Sequence, residues 1–153
     1  MGYVLYEAAE HGGELVYEYA GGIGTRSGDP ADITNLLVAG LYHSARSARD
    51  SGKSELAARL FEELAQTRPA DTTVWLMVAE SKLRDRKDPA AALAALAAFQ
   101  VPGESRYDVR HGMLEADAYK ALGQPDSART VLQGLSQRHP NSQPVKDALA
   151  KIP

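Results

Sequence analysis

A chain of 153 residues with 44% hydrophobic and 24% charged residues has the makeup of an ordinary globular domain, which excludes a disordered or fibrous class. Its net charge of −3, without a long basic run, argues against nucleic acid as a partner, because a phosphate backbone is held by sequence-independent positive charge. The lack of cysteine excludes disulfides, thiolate chemistry and zinc ribbons, and leaves cytoplasm and periplasm equally open.

From Met1 to about Asp32 the sequence is rich in tyrosine and glycine. Tyr3-Val4-Leu5-Tyr6 forms one apolar run, and Leu15, Tyr17 and Tyr19 alternate with polar residues around Glu10-His11-Gly12-Gly13, the pattern of a short β-hairpin. An irregular or helical segment is the alternative, since two strands alone are marginal in water. Gly21 to Pro30 holds four glycines and a proline, a linker composition.

Beyond it the period becomes helical. Asp32 or Thr34 is expected to cap a helix to about Asp50 with Leu37, Leu41, Ala45 and Ala48 on one face, ended by Gly52. Ser54 is expected to cap the next, whose stripe is Leu56, Ala57, Leu60, Phe61 and Leu64, with Pro69 just past its end. Thr72 or Thr73 opens a third helix through Trp75, Val78, Ala79 and Leu83, and Asp88-Pro89 supplies a cap followed by proline at the first position of a fourth, reaching about Phe99. Val101 to Tyr107 reads as a turn, and a fifth helix from about Val109 to Leu122 stops at Gly123. Asp126 or Ser127 starts a sixth that ends near Arg138 before Pro140, and a short helix from about Gln143 to Lys151 closes the chain. No apolar stretch approaches the roughly 20 residues of a membrane span, so membrane insertion is not expected. The Ala- and Arg-rich style reads as bacterial, and the sequence would look the same as a mature form or as a piece of a longer exported protein.

Gly52, Ala57, Phe61 and Pro69 are separated by five, four and eight residues, and Gly123, Ala128, Leu132 and Pro140 repeat those intervals. The second set is displaced from the first by twice the tetratricopeptide period of about 34 residues, with three positions left over. The middle unit must hold those three: Trp75 to Ala92 is one residue longer than Leu41 to Ala57, and Ala92 to Gly112 is two longer than Ala57 to Trp75. Over roughly Val38 to Pro140 the sequence therefore resembles the tetratricopeptide repeat family. Lys82 stands where that family favours an aromatic, Gly112 where it favours tryptophan, and Lys87 where it favours a turn glycine.

The resemblance implies an all-α fold, a right-handed α-solenoid of about three helical hairpins over residues 33–153 (repeats at about 38–71, 72–108 and 109–142) with a capping helix at about 143–151. Ala45, Ala79 and Ala116 would let the paired helix approach, met by Ala57, Ala92 and Ala128 from the other side. It also implies a groove lined by the first helix of each pair, at Tyr42, Arg46 and Arg49, then Leu76 and Glu80, then Arg110, Met113 and Asp117. Tyr42, Leu76 and Met113 would anchor apolar side chains, while Arg46 and Arg110 would take carboxylates. The expected partner is a protein or peptide. Tyr42, Met77 and Leu114 stand where the family's chaperone-tail binders need polar or basic groups, which argues against that specialisation. An alternative assigns the contact to the N-terminal segment, through a homodimer or attachment to a larger assembly.

Signs of catalysis or cofactor binding are weak. Gly52-Lys53-Ser54 has the tail of a phosphate-binding loop, but its first glycine would fall at Ser47 and a helix stands where a strand is required. Gly22-Ile23-Gly24 with Gly28 lacks the βαβ unit of a dinucleotide site. His11, His43, His111 and His139 are scattered, and His111 with Glu115 supplies two metal ligands of the three or four needed. No serine sits in a nucleophile elbow. Lys82, Arg84, Arg86 and Lys87, with Asp85 and Asp88, form a charged knot that suits a helix C-terminus or, alternatively, an acidic docking spot. No enzyme activity, metal or cofactor is expected.

Overall fold

The computed structural model describes residues 28–99, 101 and 106–152, and in them the chain is helical throughout. The hairpin expected over Tyr3 to Tyr19 lies outside the described residues. Helices run in the order α1 (Pro30–Asp50), α2 (Ser54–Thr67), α3 (Thr72–Arg84), α4 (Pro89–Ala97), α5 (Arg106–Ala121), α6 (Pro125–Arg138) and α7 (Gln143–Ala150). Each helix packs on the next, and α3 also touches α5, so contacts pass along the array between near neighbours as in a helical repeat protein.

Aspartates set several of the helix starts, and most helices begin slightly earlier than the sequence suggests. Asp29, not Asp32 or Thr34, caps α1 by accepting the Ala31 amide at 2.8 Å, with Pro30 at the first helical position. Thr72 opens α3 as expected, and Asp71 caps it through the Thr73 and Val74 amides at 2.8 and 3.2 Å. Asp88 caps α4 as expected, accepting from Ala91 at 2.9 Å ahead of Pro89. Ser54 is already inside α2, whose capping position is Lys53 with no side-chain bond, and α6 likewise starts from Gln124 rather than Asp126 or Ser127. The fifth helix begins at Arg106, a turn before Val109.

The first and third hairpins turn identically. Gly52 and Gly123 both have φ of 72°, and in each turn the next amide reaches back five residues, Lys53 to the Ala48 carbonyl at 2.8 Å and Gln124 to that of Tyr119 at 2.9 Å. This is the glycine-dependent Schellman ending. In the middle hairpin the corresponding bond, from the Asp88 amide to the Lys82 carbonyl at 2.9 Å, spans six residues, and Lys87 takes the left-handed position at φ 52°. The residue added inside the middle hairpin is thus housed in its turn, and Asp85 becomes the C-terminal cap of α3.

Three core clusters follow the repeat. Leu41, Ala45, Phe61 and Leu64 of the first hairpin enclose Val74 of α3. Leu76, Ala79 and Leu96 of the second enclose Leu114 of α5, and Ala116, Ala128, Leu132 and Leu135 of the third enclose Val145 and Ile152 from the capping end. Each hairpin thus completes its core with a residue of the following unit. The paired alanines all lie at helix contacts, with Ala45, Ala57 and Ala128 wholly buried and Ala79, Ala92 and Ala116 nearly so. Gly112 lacks a tryptophan because Leu135 fills that space: a Cβ there would meet the Leu135 Cδ2 at 3.0 Å. The family-typical Trp75 instead sits in the second unit, where its indole Nε1 donates to the Pro69 carbonyl at 2.7 Å and its ring stacks on Phe99.

Candidate functional site

The first helices of the three hairpins converge on a cleft of about 330 Å³ lined by Tyr42, Arg46, Arg49 and Asp50 of α1, Met77, Glu80 and Arg84 of α3, and Arg110 of α5, with Phe61 of α2 beneath. Helical periodicity explains the α1 contribution, because Tyr42, Arg46 and Arg49 stand four and three residues apart on one face. On α3, Met77, Glu80 and Arg84 have the same relation.

Ion pairs hold the cleft's shape. Arg49 grips Asp85 with two parallel bonds, Nε to Oδ1 at 2.8 Å and Nη2 to Oδ2 at 2.7 Å, and Ser81 donates a third at 2.7 Å. The Asp85 side chain is only 2% exposed, so this carboxylate needs all three donors to compensate for lost water. The hydrogen bond to Asp85 raises the Arg49 pKa above its ordinary value, against the opposing effect of burial, and the guanidinium lies over the Phe61 ring at 4.7 Å from its centroid. Glu80 meets Arg110 at 2.9 Å, Arg84 at 3.4 Å and Arg49 at 3.7 Å, one carboxylate among three guanidinium groups on three helices.

Counting the lining charges and the buried Asp85, four arginines face Asp50, Glu80 and Asp85, so the cleft retains one positive charge in a protein of net charge −3. Arg46 carries it. Among the described residues its polar side-chain partner is the Tyr42 hydroxyl at 3.2 Å, and its guanidinium lies 5.7 Å from the centre of that ring. Planar donors at the rim and an aromatic and thioether floor suit a carboxylate beside an apolar side chain.

Tyr42, Arg46, Arg49, Glu80 and Arg110, expected from the repeat, are brought together here. Leu76 is a correction: it is 1% exposed, packed with Ala79, Leu96 and Leu114, because α3 is covered by both α4 and α5, and the neighbouring Met77 faces the cleft instead. Met113 packs against the third core cluster and Asp117 pairs with Lys120 at 2.6 Å, and neither lines the cleft. Phe61 reads in sequence only as part of a buried stripe, and nothing in sequence indicates that its ring underlies Arg49. Arg84 is foreshadowed by its four-residue spacing from Glu80.

The charged knot after α3 is consumed in similar fashion. Arg86 bridges Glu55 and Glu62 of α2 at 3.3 and 3.1 Å, joining the first two hairpins on the side of α2. His111 donates from Nε2 to the Leu96 carbonyl at 3.1 Å and stands 3.9 Å from Glu115, serving the α4–α5 contact. Among the described residues no cluster of three or more His, Asp or Glu could hold a metal ion, and no helix is long and apolar enough to cross a membrane.

The family model for the tetratricopeptide repeat matches residues 83–152, from the end of α3 through the capping helix. No curated protein and no solved structure gives a significant match. Tetratricopeptide repeats generally mediate protein–protein interaction. With that match over residues 83–152 and successive packed helices throughout the described residues, the chain is a helical repeat protein whose C-terminal part is similar to the tetratricopeptide repeat.

Proposed function

We propose that this chain is a non-enzymatic adaptor that holds a peptide or partner helix in the cleft between α1, α3 and α5. The observation that carries this reading is the convergence of Arg46, Arg49, Arg84 and Arg110, from three successive hairpins, over the apolar floor of Tyr42, Phe61 and Met77. Such a floor supplies an anchor pocket, and the arginines supply bidentate donors, the two features of an interface hot spot. Arg49 and Arg110 are committed to Asp85 and Glu80, so they shape the cleft, whereas Arg46 and the outer edge of Arg84, whose side chain is 57% exposed, are the groups that meet a ligand.

The test compares partner capture by the full chain with capture by an Arg46→Glu/Arg84→Glu variant, after circular dichroism has shown equal helicity. Selective loss of a partner from the variant is the expected result. An identical set of partners for both proteins would remove the cleft from consideration.

A further inference from the structure

The stretch preceding α1 is chemically the complement of the cleft. It contains Glu7, Glu10, Glu14 and Glu18 with no lysine or arginine before Arg26, and four of the chain's seven tyrosines, Tyr3, Tyr6, Tyr17 and Tyr19. The cleft offers the reverse, an excess guanidinium at Arg46 with Tyr42, Phe61 and Met77 around it. We propose that the acidic, tyrosine-bearing segment Glu7–Tyr19 of this chain occupies its own cleft and competes there with the partner peptide. This inference rests on the cleft being the docking surface.

Reach permits it. Tyr42 and Arg46 lie 12 and 16 positions after Pro30, roughly 18–24 Å along α1 at the helical rise. The ten residue steps from Gly28 back to Glu18 can span up to roughly 33–36 Å. A short tether also raises the local concentration of the segment to the millimolar range, so a contact too weak to matter between molecules is populated within one. Charge selects the cleft over the other exposed apolar feature of α1, Ile33 and Leu37. The cation beside them is Arg68, already engaged by Asn35, whereas four arginines line the cleft.

Because the chain has no cysteine, Ala20→Cys accepts a single nitroxide label in the full-length protein. With isotopically labelled, spin-labelled chain diluted into unlabelled chain, the Met77 methyl and Tyr42 ring resonances are expected to lose intensity selectively. Intensity should return in Glu14→Lys/Glu18→Lys and, independently, in Arg46→Glu. Absence of selective broadening, broadening confined to Ile33 and Leu37, broadening that survives the glutamate reversals, or broadening that vanishes on dilution and so belongs to a second copy would each overturn the proposal. Partner loss in Arg46→Glu/Arg84→Glu without broadening would leave the adaptor reading intact and remove the internal competitor. Broadening without partner loss would keep the segment in the cleft but overturn both the adaptor reading and the competition.

Discussion

Asp85 and Asp108 are each gripped by a two-pronged arginine, yet one joins two hairpins and the other closes one. Asp85 ends α3 and binds Arg49 of the preceding hairpin, at the base of the cleft. Asp108 lies near the start of α5 and receives Arg138 Nε and Nη2 at 2.9 and 3.2 Å and His139 Nε2 at 2.7 Å, all from the end of α6. It staples the open end of the third hairpin, as Arg68 does in the first by donating to Asn35. Arg68 and His139 are repeat-equivalent, separated by the same interval as Gly52 and Gly123. Position within the repeat therefore separates the tasks: an ion pair at a hairpin's open end stabilises one unit, while one reaching back from the turn also sets the spacing between units and the width of the groove.

The largest effect that would sharpen this contrast is expected from Asp85→Ala, which leaves Arg49 and Ser81 without their shared acceptor. Urea denaturation should show a loss of about 3 kcal/mol, the scale for removing one partner of a buried pair. A loss below that of the Asp108 variant would contradict the division drawn here.

Asp108→Asn should cost about 1 kcal/mol at neutral pH, because the Arg138 side chain is 48% exposed and water screens the pair. Burial pushes the Asp108 carboxyl upward, but hydrogen bonds from Arg138 and His139 outweigh it and hold the group below its ordinary pKa. A lowered folded-state value means the ionised form stabilises the fold above the unfolded value of about 4, and that contribution fades as pH falls through the folded value. Thermal denaturation across acidic pH should thus show a steeper decline in the wild type than in Asp108→Asn, the curves converging at the acid end.

The smallest effect concerns the turn that positions Asp85. Lys87 holds φ 52° where the other hairpins have glycine, so Lys87→Gly should stabilise by about 0.5–1 kcal/mol, the strain relieved exceeding the entropy that glycine adds to the unfolded chain. Destabilisation would mean that the lysine side chain itself contributes to the middle turn.

The recurrence of glycine, alanine, a large apolar residue and proline at fixed spacing is local information, and it made the helices, their pairing and the extra residue of the middle hairpin legible. Which residue caps the first helix was less so, because Asp29 competes with nearby Asp32 and Thr34 as side-chain acceptor for the first free amides. In the cleft, Tyr42, Arg46, Arg49, Glu80 and Arg110 were accessible from repeat position, whereas Leu76 is buried, Met113 and Asp117 lie outside the lining, and Met77, noted only as unsuited to a polar clamp, lines it.

By itself the sequence determined an all-α repeat, because hydrophobic period, turn glycines and small contact residues act within a few residues of one another. Tertiary structure alone decided that Leu76 is sealed between α4 and α5, that Asp85 reaches back to Arg49 in the preceding hairpin, and that Glu80 gathers arginines from three helices. Those outcomes depend on how one hairpin sits on the next, and the angle and spacing of that contact are set by side-chain packing far apart in the chain.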